Sequence, residues 1–420
     1  MEGTNNVGDT LIISSDGVVI DLTPPQTGSV IDGMEGIRNF EPGVDMQFQT
    51  AAQSLFATWD ECLDSTSGID RLEVSVVTDS GRRVHPWEQL HAQPTSYGLL
   101  LKSPLVPGIM YHFEVLCVNG AGLQAVARSD GVIVDLTPPT VTWLRELSPD
   151  ADADFITTEF ALLSAYWAGG DDESGITKWE WAVGTYPGGF DVVDFESVGT
   201  RTSGVSFSIV LQNAWRFYVT VRGFNGAGME TSMTGDGVLA DFMPPVIGAV
   251  VDGWDDTDVD YSTSPDTVFV SWRWTQDAES GIQEFLLGVG TTAFSTDVVR
   301  PVRIDSGETR AKLTGLALES SAVTLYAVLK AVDFAGHEST AASNGFIVDT
   351  TPPIEVKVRD GVADTPDLDY VTSASIFTAN WEPSADVESG LSTVEFGIGA
   401  IRSCTQPRCC STPHPAPNTV

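Results

Sequence analysis

One stretch of nine residues occurs four times in the chain with only small changes. It reads GVVIDLTPP from Gly17, GVIVDLTPP from Gly131, GVLADFMPP from Gly237 and GFIVDTTPP from Gly345. The fifth residue of each copy is an aspartate, and these residues lie 114, 106 and 108 positions apart: Asp21, Asp135, Asp241 and Asp349. A period of that length is the size of a domain. The recurrence therefore predicts a tandem array of repeats.

Two further motifs follow the same period in the same order. The first contains a tryptophan and ends in Ser-Gly followed by Ile or Leu; it begins at Trp59, Trp167, Trp272 and Trp381. The second is a turn sequence, VNGAG from Val118, FNGAG from Phe224 and VDFAG from Val332. We predict three complete repeats, at 23–136, 137–242 and 243–350. The flanking parts are predicted to be the last strand of a truncated repeat at 1–22, a truncated repeat at 351–400 and an unstructured tail at 401–420.

The residue pattern inside each repeat predicts strands. Segments 111–118, 217–224 and 325–332 are rich in β-branched and aromatic residues and alternate along their length. Clusters of Gly, Pro, Asn and Asp separate such segments at the spacing of an all-β sandwich. The doubled proline lacks backbone N–H groups and cannot continue a sheet. It is therefore predicted to end the last strand and to start a stiff linker.

The order of these motifs resembles fibronectin type III domains and related immunoglobulin-like repeats of extracellular proteins. The resemblance covers residues 9 to about 400. It implies an all-β fold class, a tandem array of seven-stranded β-sandwiches that is truncated at both ends. The corner tyrosine of that family stands eight residues before the loop Asn and is retained as Tyr111. The equivalent residues Phe217 and Leu325 lack a hydroxyl group, which indicates a divergent subfamily.

The composition bears on the partners. The chain has 58 Asp and Glu against 21 Lys and Arg, a formal net charge of −37, which argues against nucleic acid or an anionic membrane surface as the partner. No span of about 20 unbroken apolar residues occurs, so no membrane span is predicted in this chain. Sequence signatures of a nucleophile elbow, a phosphate loop or a zinc-protease helix are missing. We therefore expect a protein that is not an enzyme.

Much of the acidic excess falls on repeated positions. An acidic run precedes the tryptophan strand, as DADADF from Asp150, DDTDVDY from Asp255 and DTPDLDY from Asp364. The motif Asp-x-Glu-Ser-Gly follows that strand in three repeats. If the first strand of a sandwich runs away from its entrance and the second runs back, the acidic run lies at the exit and the Asp-x-Glu-Ser-Gly loop at the entrance. The acidic run of one repeat would then meet that loop of the next repeat around the linker aspartate. Between the second and third repeats they would gather Asp152, Asp154, Asp241, Asp277, Glu279 and Asp333.

Like charges gathered in this way would repel unless a cation lay among them. Two carboxylates about 4 Å apart repel by roughly 1 kcal/mol in water and about 4 kcal/mol near a protein surface. Calcium binds about six to eight oxygen ligands in loose geometry and is the candidate cofactor. The alternative is that these residues are solvated turn formers without a metal. The candidate metal ligands are Asp135, Asp171, Glu173, Asp152, Asp154, Asp241, Asp277, Glu279, Asp258, Asp260, Asp349, Asp386 and Glu388.

The aromatic and cysteine residues have structural interpretations first. One tryptophan per repeat at the same strand position is typical of a sandwich core. If exposed, four others are candidates for a sugar or peptide site: Trp179, Trp181, Trp215 and Trp274. The positions of Cys62 and Cys117 are compatible with a disulfide, which is not required because residues 137–350 contain no cysteine.

We therefore predict a non-enzymatic extracellular segment, secreted or in the ectodomain of a membrane protein, that serves in adhesion or as a scaffold. It would space and present binding surfaces for a protein or glycan ligand that the sequence does not identify. The alternative is an inert spacer attached to a catalytic or carbohydrate-binding domain outside this chain.

Overall fold

The computed structural model describes residues 1–33, 44–159, 162–207, 209–255 and 257–399. Every regular element in these ranges is a strand, as the fold class predicted. The described part of the chain accordingly contains no helix that could span a membrane. The chain divides into two compact units, Met1–Phe242 and Met243–Val420.

The first residues form a hairpin of β1 (Glu2–Thr4) and β2 (Thr10–Ile12). Residues 17–20 carry no strand, and Val18 and Ile20 are exposed. The equivalent residues of the second copy of the nine-residue motif, Val132 and Val134, are buried. The same letters thus form a buried strand only where partner strands flank them.

The strands between Val30 and Val134 form a sandwich of two sheets. The three-stranded sheet has the order β3 (Val30–Asp32), β5 (Ser54–Trp59), β8 (Ser96–Leu100). The second sheet has the order β4 (Phe48–Gln49), β11 (Val132–Val134), β9 (Met110–Asn119), β6 (Ile69–Thr78), β7 (Arg83–Gln89), with β10 (Gln124–Arg128) on β9. All neighbours are antiparallel except β4 and β11, which are parallel.

The strands between Thr140 and Ala240 repeat this arrangement strand for strand. The small sheet has the order β12 (Thr140–Glu146), β14 (Leu163–Gly170), β17 (Ser203–Ser206). The large sheet has the order β13 (Phe155–Ile156), β20 (Val238–Ala240), β18 (Arg216–Asn225), β15 (Ile176–Gly184), β16 (Val193–Gly199), with β19 (Glu230–Thr234) on β18.

The strands between Ala249 and Val348 form the third copy. The small sheet has the order β21 (Ala249–Asp252), β23 (Thr267–Arg273), β26 (Arg310–Thr314). The large sheet has the order β22 (Tyr261–Ser262), β29 (Phe346–Val348), β27 (Ser321–Asp333), β24 (Ile282–Gly290), β25 (Val299–Asp305), with β28 (Glu338–Ala342) on β27. Beyond it, only β30 (Val358–Asp360) and β31 (Ala379–Trp381) pair among the described residues.

In sandwich lettering, each small sheet contains strands A, B and E, and each large sheet contains A′, G, F, C and C′. Strand A leaves the small sheet, and after a connection the chain joins the large sheet as A′, parallel to G. The F strands β9, β18 and β27 are 10, 10 and 13 residues long. Burial alternates along much of β18 and β27, as expected of a strand with one buried face, whereas β9 is buried at eight of its ten positions.

Each sandwich has its own apolar core, which contains the predicted tryptophan of strand B: Trp59, Trp167 and Trp272. The core interpretation is confirmed for these three residues. Trp381 is instead 42% exposed, and it stacks against Phe396. Trp179 and Trp181 are each 1% exposed, so these two residues belong to the core and are not available for a sugar or peptide site.

Residues 23–136 contain two more of the predicted features. Tyr111 is buried, and its hydroxyl oxygen accepts a hydrogen bond from the Val106 backbone N–H at 2.9 Å, which confirms the corner tyrosine. Cys62 and Cys117 are joined in a disulfide across 55 residues. Phe217 and Leu325 occupy the tyrosine position as buried apolar residues.

Two glycines of the motifs are required by the backbone. The glycine of Ser-Gly, between strands B and C, has φ of +68°, +69°, +83° and +74° at Gly68, Gly175, Gly281 and Gly390. The glycine that opens the nine-residue motif has φ of +108°, +86° and +96° at Gly131, Gly237 and Gly345. These values lie where a β-carbon is disfavoured, so both glycines recur for conformational reasons.

Candidate functional site

The linker aspartate between residues 23–136 and 137–242 is held by two loops of the second sandwich. Asp135 follows β11 and is fully buried. Its Oδ2 accepts hydrogen bonds from Ser174 Oγ at 2.5 Å and from Asn225 Nδ2 at 2.8 Å. Its Oδ1 accepts one from the Thr137 backbone N–H at 3.0 Å. Ser174 belongs to the Asp-x-Glu-Ser-Gly motif and Asn225 to the late turn motif, so all three repeated motifs meet at this carboxylate.

Asn225 bridges the two carboxylates of the junction. Its side-chain nitrogen lies 2.8 Å from Asp135 Oδ2, 3.1 Å from Asp171 Oδ2 and 3.1 Å from the Thr137 carbonyl oxygen. Its Oδ1 accepts a hydrogen bond from the Met229 backbone N–H, which fixes the amide orientation. Asp171 Oδ1 accepts the N–H groups of Ser174 and Gly175 at 2.8 and 3.1 Å. A neutral donor therefore occupies the space between two negative charges.

The same network occurs at the start of the first sandwich. Asp21 Oδ2 accepts hydrogen bonds from Ser67 Oγ at 2.6 Å and from Asn119 Nδ2 at 2.9 Å. Asn119 Nδ2 also lies 3.1 Å from Asp64 Oδ2 and 3.1 Å from the Thr23 carbonyl oxygen. Five residues from separate parts of the sequence thus occur twice in one arrangement. We call each arrangement a linker latch: Asp21, Thr23, Asp64, Ser67 and Asn119 in the first, and Asp135, Thr137, Asp171, Ser174 and Asn225 in the second.

Hydrogen-bond donors lower the pKa of three latch carboxylates, those of Asp21, Asp64 and Asp171. The Ser67 hydroxyl and then the Thr23 N–H lower the pKa of Asp21. The Asn119 amide and then the Ser67 N–H lower the pKa of Asp64. Burial raises the pKa of Asp171, but the donors Ser174, Asn225 and Gly175 outweigh it, and the net pKa is lowered. Each donor favours the charged form to which it is bonded.

The third sandwich has an aspartate at the bridging position. Asp333 is fully buried, and its Oδ1 accepts the His337 backbone N–H at 2.7 Å. Its Oδ2 lies 3.2 Å from His337 Nδ1. In the same sandwich Asp277 Oδ1 accepts the N–H groups of Ser280 and Gly281 at 2.8 and 2.7 Å. A carboxyl group lacks the two N–H donors of an amide, so Asp333 cannot bridge two acceptors as Asn225 does.

The other two linker aspartates are Asp241 and Asp349. Asp241 is fully buried, and its backbone N–H donates to the Ile156 carbonyl oxygen at 2.9 Å. Asp349 Oδ1 accepts the Thr351 N–H at 3.0 Å, and Thr351 Oγ1 lies 3.4 Å from Glu388 Oε2. The backbone N–H of Ser389 is the main cause that lowers the pKa of Asp386.

The predicted grouping of metal ligands is reproduced in one set within the first unit. Carboxylate oxygens of Asp135, Asp171 and Glu173 lie within 4.8 Å of one another. Glu173 Oε2 accepts the Thr137 hydroxyl hydrogen bond at 3.0 Å, so this carboxylate also contacts the linker. The set can offer three oxygen ligands, although hydrogen-bond donors of the latch already contact Asp135 and Asp171.

The acidic run lies elsewhere than predicted. Asp152 groups with Glu146 and Asp236, and its Oδ1 accepts the Glu146 N–H at 2.8 Å. Asp236 precedes strand β20 and Asp241 follows it, and five residues of extended chain span roughly 16 Å. The chain from Asp150 to Asp154 connects strands A and A′ instead of descending to the linker, because strand A crosses between the sheets.

The other members of the runs also lie along this connection. Asp154 and Asp260 are exposed, and their carbonyl oxygens accept the N–H groups of Leu239 and Ile347 on strand G at 2.8 and 2.9 Å. Asp258 Oδ2 accepts Asn344 Nδ2 at 2.8 Å. These three residues belong to the A–A′ connection or its pairing with strand G.

The sequence interpretation missed a buried acid at the end of each strand A. Asp32, Glu146 and Asp252 are at most 2% exposed. Burial is the main cause that raises the pKa of Asp32 and of Glu146 to about 7, and that of Asp252 to about 6. The recurring V-x-D-G at Val30, Val250 and Val358 was the available signal, but Glu146 departs from it.

No protein-family model and no curated protein matches the chain. Among solved structures, the chain is similar to the three fibronectin domains FN1–FN3 of chicken CNTN1, with 13% identity, 76% of this chain and 99% of that one covered, and a TM-score of 0.27. A bacterial ice-binding adhesin has 15% identity, 79% and 100% coverage and a TM-score of 0.34. A tetra-tandem repeat from the extending region of a large adhesion protein has 14% identity, 80% and 78% coverage and a TM-score of 0.27.

The strand order of each repeat defines the class of protein. Three strands A, B and E face a sheet of A′, G, F, C and C′ in all three complete sandwiches. The chain is a tandem array of fibronectin type III-like β-sandwiches.

Proposed function

We propose that this chain is a non-enzymatic scaffold segment of an extracellular adhesion protein, which spaces and presents binding surfaces through its sandwiches. The observation that carries this proposal is the linker latch. It is built twice from the same five residue types, and each copy fixes the segment that enters a sandwich to that sandwich's own loops. Residues of all three repeated motifs contact the linker, as expected of a protein that holds its domains in a fixed arrangement.

The latch opposes bending at its junction for a physical reason. The two prolines Pro138 and Pro139 have fixed φ angles and cannot join a sheet. Asp135 receives three hydrogen bonds, and bonds to a charged group contribute roughly 1.5–3 kcal/mol each. Moving the linker away would break the hydrogen bonds of the Asp135 carboxylate and leave the Asn225 amide without its two acceptors on the linker. Both changes cost free energy, so the joint favours one geometry.

Two features support an extracellular location. The Cys62–Cys117 disulfide is the kind of bond that persists in oxidising compartments. A net charge of −37 keeps a long segment soluble and discourages binding to other anionic surfaces. Trp215 and Trp274 are exposed, so these two residues stay candidates for a sugar or peptide site.

Calcium at the junctions stays a prediction. Asp135, Asp171 and Glu173 support it by their proximity, and the amide donor of Asn225 weighs against it because the donor already compensates two carboxylates. Calcium bound there would reinforce the same geometry as the latch.

The test is the spread of distances between neighbouring sandwiches. Spin labels are introduced as non-natural amino acids at exposed Lys102 and Arg201 of the full chain, which leaves the disulfide intact. Pulsed electron spin resonance is expected to give a narrow distance distribution for the native chain and a broad one for Asn225→Ala. The matched control is Ser232→Ala, an exposed strand residue, which keeps the narrow distribution. An equally narrow distribution for Asn225→Ala, with the sandwiches folded by circular dichroism, would refute the proposal.

A further inference from the structure

We propose that each of the first two sandwiches has a binding site for a divalent cation of the calcium type, where the end of strand A lies beside the turn into strand G. The site lies within one sandwich and does not depend on the linker latch or on the proposed function. In the second sandwich its ligands are Glu146, Asp152 and Asp236, and in the first they are Asp32, Asp45 and Asp130. Oxygen atoms of each set lie within 4.8 Å of one another.

The buried member of each set points to a missing ligand. Glu146 is fully buried, and neither of its carboxylate oxygens has a hydrogen-bond partner in the described part of the chain. Asp32 is 1% exposed; its Oδ2 accepts the Gly131 N–H at 3.0 Å, and its Oδ1 is without a partner among the described residues. Buried polar atoms are almost always paired, so an unpaired carboxylate oxygen beside two more carboxylates indicates a cation.

The second acid of each set lies beside this carboxylate in the same way twice. Asp152 Oδ1 accepts the Glu146 N–H at 2.8 Å, and Asp45 Oδ1 accepts the Asp32 N–H at 2.8 Å. The second acid is therefore positioned by the backbone of the first. A β-carbon on Gly235 would collide with the Glu146 carboxylate. The glycine therefore leaves room for this carboxylate beside strand G.

No basic side chain offsets the charge. None of the six acids forms an ion pair with Lys or Arg in the described ranges, and Asp130 receives only the neutral amide of Gln47 at 3.2 Å. Oxygen-only ligands favour calcium or magnesium over softer metals. The exposed members Asp152, Asp130 and Asp236 leave one side of each set open to solvent, as an incoming ion requires.

The third sandwich is a natural control. Its buried acid is Asp252 and its second acid is Asp258, but Asn344 replaces the third. The Asn344 amide donates to Asp258 Oδ2 at 2.8 Å, so it takes up one oxygen and removes one charge. We therefore expect this sandwich to bind the cation much more weakly.

The experiment is calorimetric titration of the full chain with CaCl2 at neutral pH after chelation. The number of bound ions is expected to fall by one in Glu146→Gln and by two in Glu146→Gln with Asp32→Asn. The matched control Asp252→Asn leaves the number unchanged, and Asn344→Asp raises it by one. Should the buried variant fail to fold, exposed Asp236→Asn removes the same site.

Junction sites are separated by Asp171→Asn, which does not touch either set. A loss of ions in Asp171→Asn alone would place all binding at the linkers and overturn the proposal. A native chain that binds no calcium, or an unchanged number in the folded double variant, would overturn it as well. Retention of the linker latch is measured independently by the spin-label distances, so the two proposals can fail separately.

Discussion

At the scale of single residues, the choice between an amide and a carboxylate decides how a junction is held. Asn225 and Asn119 each lie between two carboxylates and hydrogen-bond to both. An aspartate in their place would add a third negative charge and remove the donor. Asp333 makes this change at the equivalent position of the third sandwich and takes its hydrogen bonds from His337 instead. One atom therefore changes which partner the late turn can bind.

The corner tyrosine gives the first prediction at this scale. Tyr111→Phe is expected to lower the free energy of unfolding by about 1 kcal/mol, because the Val106 N–H loses its acceptor while the ring stays in the core. Urea unfolding of the full chain measures the change. Tyr218→Phe in the second sandwich is the control. Tyr218 does not occupy the corner position, so the loss of its hydroxyl should leave the urea unfolding transition unchanged. Equal effects of the two variants would contradict a specific role for the Tyr111 hydroxyl.

Some of these residues could be predicted from the sequence. Asp135, Asp171 and Glu173 recur in step with the repeats, and the structure places them together. The partner Asn225 was hidden because its motif has the composition of an ordinary turn. Glu146 was hidden for a different reason: its partner Asp236 is 90 residues away, and only the packing of the folded sandwich brings them close.

At the scale of the strand, the split of A into A and A′ explains the error over the acidic runs. If successive strands simply alternated in direction, the acidic run would lie at the linker. The parallel pairing of A′ with G instead holds the run beside strand G of its own sandwich. Fold class and core followed from periodicity and composition, which are local. The crossing between sheets depends on contacts far apart in sequence, and local patterns carry no record of it.

The buried acid of the third sandwich predicts a dependence on pH. Burial raises the pKa of Asp252 from 3.8 to about 6; Asp258 raises it further, and Ser343 and the N–H groups of Gly345 and Ala327 lower it. The folded state therefore holds a proton that the unfolded state has lost between these values. Its stabilising effect is complete below pH 3.8 and is lost as the pH rises through about 6, a change on the order of 3 kcal/mol.

Differential scanning calorimetry of the native chain and of Asp252→Asn, at pH 4.5 and pH 7 and without calcium, measures this effect. The neutral amide does not titrate, so the variant should gain on the native chain as the pH rises. Asp260→Asn, an exposed change in the same connection, should follow the native chain. If Asp252→Asn shows the native pH dependence, Asp252 does not hold the proton.

At the scale of the whole molecule, the net charge of −37 acts on every sandwich at once. Like charges repel across the surface, and this destabilises the compact state. Salt reduces the repulsion, since the Debye length falls from about 30 Å at 0.01 M to about 8 Å at 0.15 M. We therefore expect the melting temperature of the chelated chain to rise by a few degrees when NaCl is raised over this range.

Calcium chloride compared with sodium chloride at equal ionic strength separates screening from binding. Screening predicts the same rise for both salts at equal ionic strength, whereas a bound ion stabilises the folded state further by an amount that grows with its concentration. The native chain is expected to gain more from calcium, and Glu146→Gln with Asp32→Asn should lose that excess but keep the rise with NaCl. The net charge of the molecule then makes the melting temperature rise with either salt, while the two buried carboxylates add a further rise that is specific to calcium. If the melting temperature of the native chain depended on ionic strength identically in the two salts, screening alone would explain the rise and a bound calcium ion would be contradicted.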